Sequence, residues 1–251
     1  MSAADFTPIL WEIHCGLPRE GPGDDLCTRM AYGLIEGLPR APRVLDIACG
    51  PGMQTLELAR LSDGVITAID NHPPFLDQLR RRARTAGLDH LITPLNASME
   101  ALPFEPASFD LIWSEGAIYI VGFEAGLKRW RPLLAEGGFM AVTECCWLTA
   151  HPPEDLRAFW TGYPGMADIA TNQAAIRQAG YAEIGHFVLP DSAWWDHYYG
   201  PMEARIAALE QKHAGDTAAL SELAQARVEC DLRRRHPDDY GYVFFVMRKA
   251  G

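Results

Sequence analysis

What this 251-residue chain lacks narrows its function before any motif is considered. Basic residues are few, 22 against 33 acidic ones, and the formal net charge is −11. A field of that sign repels phosphate backbones, so no nucleic-acid partner is expected. The six cysteines, Cys15, Cys27, Cys49, Cys145, Cys146 and Cys230, form no Cys-x-x-Cys pair and no Cys/His cluster at zinc spacing. No metal is expected, and the cysteines read as small core residues of a protein in a reducing cytoplasm. The first residues contain no basic segment leading into a long apolar run, so no signal peptide is expected. No stretch is long and apolar enough to span a bilayer, and a membrane partner is not expected either. Internal repeats and low-complexity linkers are absent from the sequence.

What is present suits one substantial α/β core with a cap or insertion. Apolar residues make up 48% and charged residues 22%, an ordinary globular mixture. Strand-like runs near 43–48, 65–69, 91–95, 109–114, 138–146, 183–189 and 242–248 alternate with helical patterns. These patterns fall near 53–61, from Pro73-Pro74 to Gly87, and near 123–132, 153–162 and 168–179. Such alternation predicts a doubly wound parallel sheet of seven strands with helices on both faces. Residues 1–23 read as irregular. Asp24 then caps a helix carrying Leu26, Met30, Leu34 and Ile35, which closes near Gly37. Residues 190–239 are too long for a simple connection and read as a helical insertion before the last strand. The insertion carries the aromatic cluster Trp194, Trp195, His197, Tyr198 and Tyr199. The runs Arg80-Arg81-Arg82-x-Arg84 and Arg233-Arg234-Arg235 read as solvated helix faces. The whole chain, 1–251, is expected to be one domain, with 1–37 as an N-terminal cap.

The most informative segment is Val44-Leu45-Asp46-Ile47-Ala48-Cys49-Gly50-Pro51-Gly52. It is an apolar strand, a tight glycine turn and, from Met53, a helix N-terminus. Backbone in that arrangement can approach a nucleotide-like ligand closely. Thr55 stands where a dinucleotide binder would carry its third glycine. That argues against a nicotinamide oxidoreductase. The segment resembles the first motif of class I S-adenosylmethionine-dependent methyltransferases. The resemblance implies a Rossmann-like sheet with its last strand antiparallel, S-adenosylmethionine as cofactor and S-adenosylhomocysteine as product. It implies roles for the strand ends in order. Asp46, Gly50 and Gly52 form the turn, and the N–H groups opened by Gln54 and Thr55 face the methionine carboxylate. Asp70, with Asn71 beside it, takes the ribose hydroxyls. Ser98 and Met99 meet the adenine, where many relatives carry an acid in place of Ser98. Ser114 closes the methionine end. Arg19, in a Gly-Pro-Gly-containing loop, pairs a carboxylate as part of a lid.

Four further segments resemble a narrower group of bacterial methyltransferases: Arg19–Gly23, Trp113–Tyr119 with Gly122-Phe123, Glu144–Trp147 and Asp196–Tyr199. None of them names an acceptor. In-line methyl transfer needs an aligned lone pair and a route for a proton. Glu115, Glu144, His197 and Tyr119 are the candidate catalytic groups. Glu115 and Glu144 are expected to line the acceptor pocket with His197 above them, and Trp113, Tyr119, Trp147 and Tyr198 offer aromatic faces. The expected activity is methylation of a small molecule at nitrogen or oxygen by a monomer or homodimer. The competing reading is a non-catalytic cofactor-binding regulatory or partner protein.

Overall fold

The structure is a computed structural model that describes residues 7–163 and 165–251. The N-terminal part holds helices α1 (Pro8–His14) and α2 (Asp25–Gly33). The sheet then begins, with β1 (Arg43–Ile47), α3 (Met53–Ser62), β2 (Val65–Asp70), α4 (Pro73–Ala86), β3 (Ile92–Asn96), β4 (Phe109–Ser114) and α5 (Phe123–Trp130). It continues through β5 (Leu134–Trp147), α6 (Glu154–Phe159), a two-residue β6 (Ala167–Asp168), α7 (Ile169–Gln178) and β7 (Tyr181–Val188). The insertion is α8 (Ser192–Trp194), a π-helical turn (Trp195–Tyr199), α9 (Gly200–Lys212) and α10 (Thr217–Arg235). The last strand is β8 (Tyr240–Lys249).

Strand order is β3-β2-β1-β4-β5-β8-β7, with β6 set beside the end of β5. Strands β1 to β6 pair in parallel, and β8 runs antiparallel to both β5 and β7. This is the expected Rossmann-like arrangement of seven strands, plus the short β6 that the sequence did not signal. Side chains alternate across the sheet. Val44, Leu111, Ala141 and Phe244 enter one core with α1 to α4 and the insertion. Leu45, Ile112, Val142 and Phe245 enter the other, with Leu127 of α5 and Ile176 of α7. Because both faces are covered, the central strands are apolar almost throughout. Each fully buried large side chain, such as Trp113, Trp130 or Phe244, contributes about 1.5–3 kcal/mol of burial.

Local signals account for several helix ends. The Asp24 side chain accepts from Cys27 N at 2.7 Å and caps α2. Pro73 and Pro74 open α4, where a missing N–H costs nothing, and left-handed Gly87 closes it. Other expectations need correction. Residues 8–14 are helical, capped by the Thr7 hydroxyl accepting from Leu10 N at 3.2 Å. Helix α2 ends at Gly33, and its Cys27, Thr28 and Ala31 face inward while Leu26, Met30 and Leu34 face out. Two arginines read as solvated are structural. Arg82 donates to Pro18 O at 3.0 Å and Pro51 O at 3.1 Å, tying the N-terminal loop to the glycine turn. Buried Arg233 donates to Tyr240 O at 2.7 Å and lies 4.4 Å over the Trp194 ring. Among the described residues, no helix is long and apolar enough to cross a membrane.

Candidate active site

The order of strands reverses between β1 and β4, and a crevice opens beyond their carboxyl ends. The turn after β1 requires an unusual backbone. Ala48, Gly50 and Gly52 have φ of 57°, 53° and 84°. A side chain at Gly52 would be strained by that φ and would place its Cβ 2.2 Å from Leu79 Cδ1. Cys49 N donates to Ile69 O at 2.9 Å, holding the turn against β2.

Asp70, at the end of β2, accepts from Gly50 N at 2.9 Å and His72 N at 2.8 Å. Burial raises its pKa, while the two amides oppose the rise. Asp46 lies deeper. Burial pushes its pKa to about 7, opposed by the Thr55 hydroxyl, which donates to Oδ2 at 2.5 Å. Gln54 Nε2 donates to Cys49 O at 3.0 Å and braces the turn from the helix side.

Arg19 and Glu115 form a buried ion pair. Glu115 Oε1 also accepts from Trp113 Nε1 at 2.8 Å and Thr28 Oγ1 at 2.9 Å. A Cβ at Gly23 would stand 2.6 Å from the Arg19 guanidinium, so the loop's glycine makes room for the pair. Arg19 is 5% exposed, yet its Nε and Nη1 have no hydrogen-bond partner. Buried donors are seldom left so.

A cavity of about 820 Å³ runs from the glycine turn to a chamber under α1, α9 and α10. Nine of the site residues expected from the sequence line it: Arg19, Gly50, Gln54, Asp70, Asn71, Ser98, Met99, Glu115 and Tyr119. The others do not. Asp46 and Thr55 bond each other beneath the turn, Gly52 packs on Leu79, and Ser114 Oγ donates to Ile47 O at 3.1 Å. These four support the wall and do not form it.

Two of the expected catalytic residues lie outside the cavity lining. Glu144 points behind the wall, accepting from Tyr163 at 2.7 Å, and burial pushes its pKa to about 8. His197, on the π-helical turn, is outside the cavity lining, and so is Trp147. Trp113 is fully buried against Phe244, with ring centroids 5.2 Å apart. Tyr198 does line the chamber. Two histidines line the cavity among the described residues, His72 after β2 and, on α1, His14, whose Nδ1 lies 2.6 Å from Glu20 Oε2. Sequence reasoning missed His14 together with Trp11, Phe159, Met202, Glu222 and Glu229. No local motif marks these residues, because they meet only when the two ends of the chain pack together. Trp11 stacks on His72 at 3.8 Å, bringing α1 over the carboxyl end of β2. Among the described residues, no three His, Cys, Asp or Glu side chains come together as a group able to hold a metal ion.

Residues 44–138 match the family model described as "Methyltransferase domain". The chain is 34% identical over 151 residues to a dimethylglycine N-methyltransferase of Parasynechococcus marenigrum, covering 57% of this chain and 54% of that one. The segment similar to that methyltransferase domain contains the glycine turn, β2 and β4. A 27-O-demethylrifamycin SV methyltransferase of Amycolatopsis mediterranei is 26% identical over 98% of this chain and 93% of its own length. In fold, the chain matches a methyltransferase from Geobacter sulfurreducens solved with S-adenosylhomocysteine. That match has a TM-score of 0.83 at 19% identity and covers 97% of this chain and 98% of the other. The chain spans about half or less of the length of most curated relatives it matches.

Proposed function

We propose that this chain transfers a methyl group from S-adenosylmethionine to a small-molecule acceptor, at nitrogen or oxygen. The observation that carries the reading is Arg19. Two nitrogens of its buried guanidinium have no partner beside a glycine turn that opens into an 820 Å³ cavity. Those donors suit a ligand carboxylate, and an amino-acid carboxylate is what this cofactor presents.

The residues present fit the cofactor. Gly50 and Gln54, which line the cavity at the glycine turn, would hold its methionine end, Asp70 with Asn71 suits the ribose hydroxyls, and Ser98 with Met99 suits the adenine. Bound there, the cofactor supplies an electrophilic methyl group on a sulfonium and leaves as a neutral thioether. The chain's own work is positioning and proton removal. Glu115 already accepts from Arg19, Trp113 and Thr28, so it anchors the arginine and is not the base. His14, held by Glu20, is the group in the chamber that takes a proton from the acceptor. General-base help of this kind is worth about 10²–10⁴-fold. Five of the six cysteines are buried free thiols, and we assign the enzyme to a reducing cytoplasm.

The relatives support a small-molecule acceptor and differ in the attacked atom. One is described as an N-methyltransferase and another as acting on a 27-O-demethylrifamycin. The test is calorimetric binding of S-adenosylhomocysteine to wild type and Asp70→Ala. Binding that the variant loses is the expected result. A folded wild type that does not bind would overturn the proposal.

A further inference from the structure

The chamber beyond the cofactor end is unusually rich in negative charge. Among the described residues, six carboxylates line the cavity, Glu20, Asp70, Glu100, Glu115, Glu222 and Glu229, against the single guanidinium of Arg19. Four have other work or lie at the rim. Asp70 accepts two backbone amides, Glu115 holds Arg19, Glu222 bonds the Thr7 hydroxyl, and Glu100 is exposed. Glu20 is engaged with His14.

Glu229 lies in the middle of the α10 face that roofs the chamber. Its Oε1 accepts from the Tyr199 hydroxyl at 2.6 Å. Around it the chamber walls are aromatic and apolar, from Tyr119, Phe159, Tyr198 and Met202. The Tyr119 ring is braced by Tyr163 at 4.6 Å and the Tyr198 ring by Tyr199 at 4.9 Å, so both present fixed faces. A carboxylate among aromatic faces, out of bulk water, attracts an organic cation by charge and by the ring quadrupoles. Burial also raises the Glu229 pKa, a cost to its charged form that a bound cation would offset.

We propose that the acceptor is an amine carried as an ammonium on an apolar or aromatic body, and that Glu229 selects it. This rests on the methyltransferase reading and narrows it to one substrate class. The selection is made in the acceptor chamber, away from the residues assigned to the cofactor. Neutral alcohols of the same shape leave the Glu229 carboxylate without a counter-charge. Carboxylates are repelled.

The test uses the full chain saturated with S-adenosylhomocysteine and three calorimetric probes: 2-phenylethylamine, 2-phenylethanol and 3-phenylpropanoate. The amine should bind roughly tenfold or more tighter than the alcohol, and the carboxylate should not bind detectably. Glu229→Gln keeps an oxygen for the Tyr199 hydroxyl and should fold. It should bring the amine down to the level of the alcohol while the affinity for S-adenosylhomocysteine stays unchanged. Equal binding of amine and alcohol would overturn the proposal, as would a preference that survives in Glu229→Gln. Absence of amine binding by wild type that binds S-adenosylhomocysteine also overturns it, and leaves the methyltransferase reading standing. Failure to bind S-adenosylhomocysteine removes that reading and this one with it. The wild-type comparison of amine with alcohol decides the matter even if the variant does not fold.

Discussion

At the glycine-turn end of the cavity, hydrogen bonds join residues close in sequence. Thr55 reaches Asp46 across nine positions, and Gly50 reaches Asp70 across twenty. Toward the aromatic end some span almost the whole chain. Thr7 meets Glu222 across 215 positions, Lys212 meets Glu12 across 200, and Arg205 meets Glu12 O across 193. The first end is built by one strand–turn–helix unit and its neighbour strand. The second exists only once α1 has packed against α9 and α10. In the proposed function the cofactor meets the local, self-contained end, and the acceptor meets the end assembled from afar. The acceptor end can therefore change without disturbing the turn.

The sharpest way to break that division is at Arg19, which belongs to the N-terminal segment but pairs with Glu115 and lines the cavity near the glycine turn. Arg19→Met leaves Glu115 buried without its counter-charge, and urea unfolding should report a loss of about 3–5 kcal/mol. Affinity for S-adenosylhomocysteine should fall roughly 100-fold, the carboxylate having lost a charged donor pair. The double variant Arg19→Met/Glu115→Gln should recover most of the stability and none of the affinity. Unchanged affinity in calorimetry would mean that the unpartnered nitrogens serve something other than the cofactor.

Two buried acids compare the ends by pH. Burial raises both pKa values, Glu144 behind the aromatic wall to about 8 and Asp46 beneath the turn to about 7. Each therefore holds its proton more tightly folded than unfolded. The stability this confers is complete below the ordinary carboxylate range and is lost as pH rises through the folded value. Wild type should lose stability between about pH 5 and pH 9, and Glu144→Gln should remove on the order of 3 kcal/mol of that loss. Asp46→Asn should remove less, with its change complete nearer neutrality. Denaturant unfolding at several pH values measures both. A Glu144→Gln slope equal to wild type would show that Glu144 is charged in the folded protein.

Gly52 tests how rigid the local end is. Gly52→Ala must adopt a φ of 84° and push Leu79 away from 2.2 Å, which should cost roughly 2 kcal/mol in urea unfolding. Gly215, between α9 and α10, has open space where a Cβ would go, and Gly215→Ala should change stability by less than about 0.5 kcal/mol. Equal costs at the two positions would sink the claim that the turn is the sterically fixed end.

The same difference in sequence range explains what could be read in advance. Strand β4 falls at Phe109–Ser114 as expected, Asp24 caps α2, Pro73 opens α4, and Asp70 ends β2 beside Gly50. Each of these rests on neighbours within a few residues or on one adjacent strand. Helix α1 was not legible, because Pro8–His14 has too few residues to announce a period and buries Ile9 and Ile13 within the core it shares with the insertion. The sequence points to His197 as a base and gives no local sign of His14. Only the packing of α1 on the insertion puts His14 in the chamber, while the π-helical turn that carries His197 lies outside its lining. The roles of Arg82 and Arg233 were hidden for the same reason, since their partners are backbone carbonyls of other segments. Thr55 and Asp46, expected to meet the cofactor, bond each other beneath the turn. They are its buried support, a distinction in depth that spacing alone does not carry.

The smallest effect separates periodicity from burial in α2. Leu26, Met30 and Leu34 recur at helical spacing, yet they are 53%, 45% and 37% exposed. The face that packs is the smaller one of Cys27, Thr28 and Ala31, because Thr28 must approach Glu115 closely enough to donate at 2.9 Å. Leu26→Ser and Met30→Lys should each alter unfolding free energy by no more than about 0.5 kcal/mol, as surface changes do. Ala31→Lys should abolish folding, since its charge would enter a site with no exposure. A loss well above 1 kcal/mol in Leu26→Ser that grows with protein concentration would mean that this outer face is covered in solution by a second copy of the chain. Helix α2 would then link an interface to the residue that holds Glu115, and the separation between the two ends of the cavity would no longer be complete.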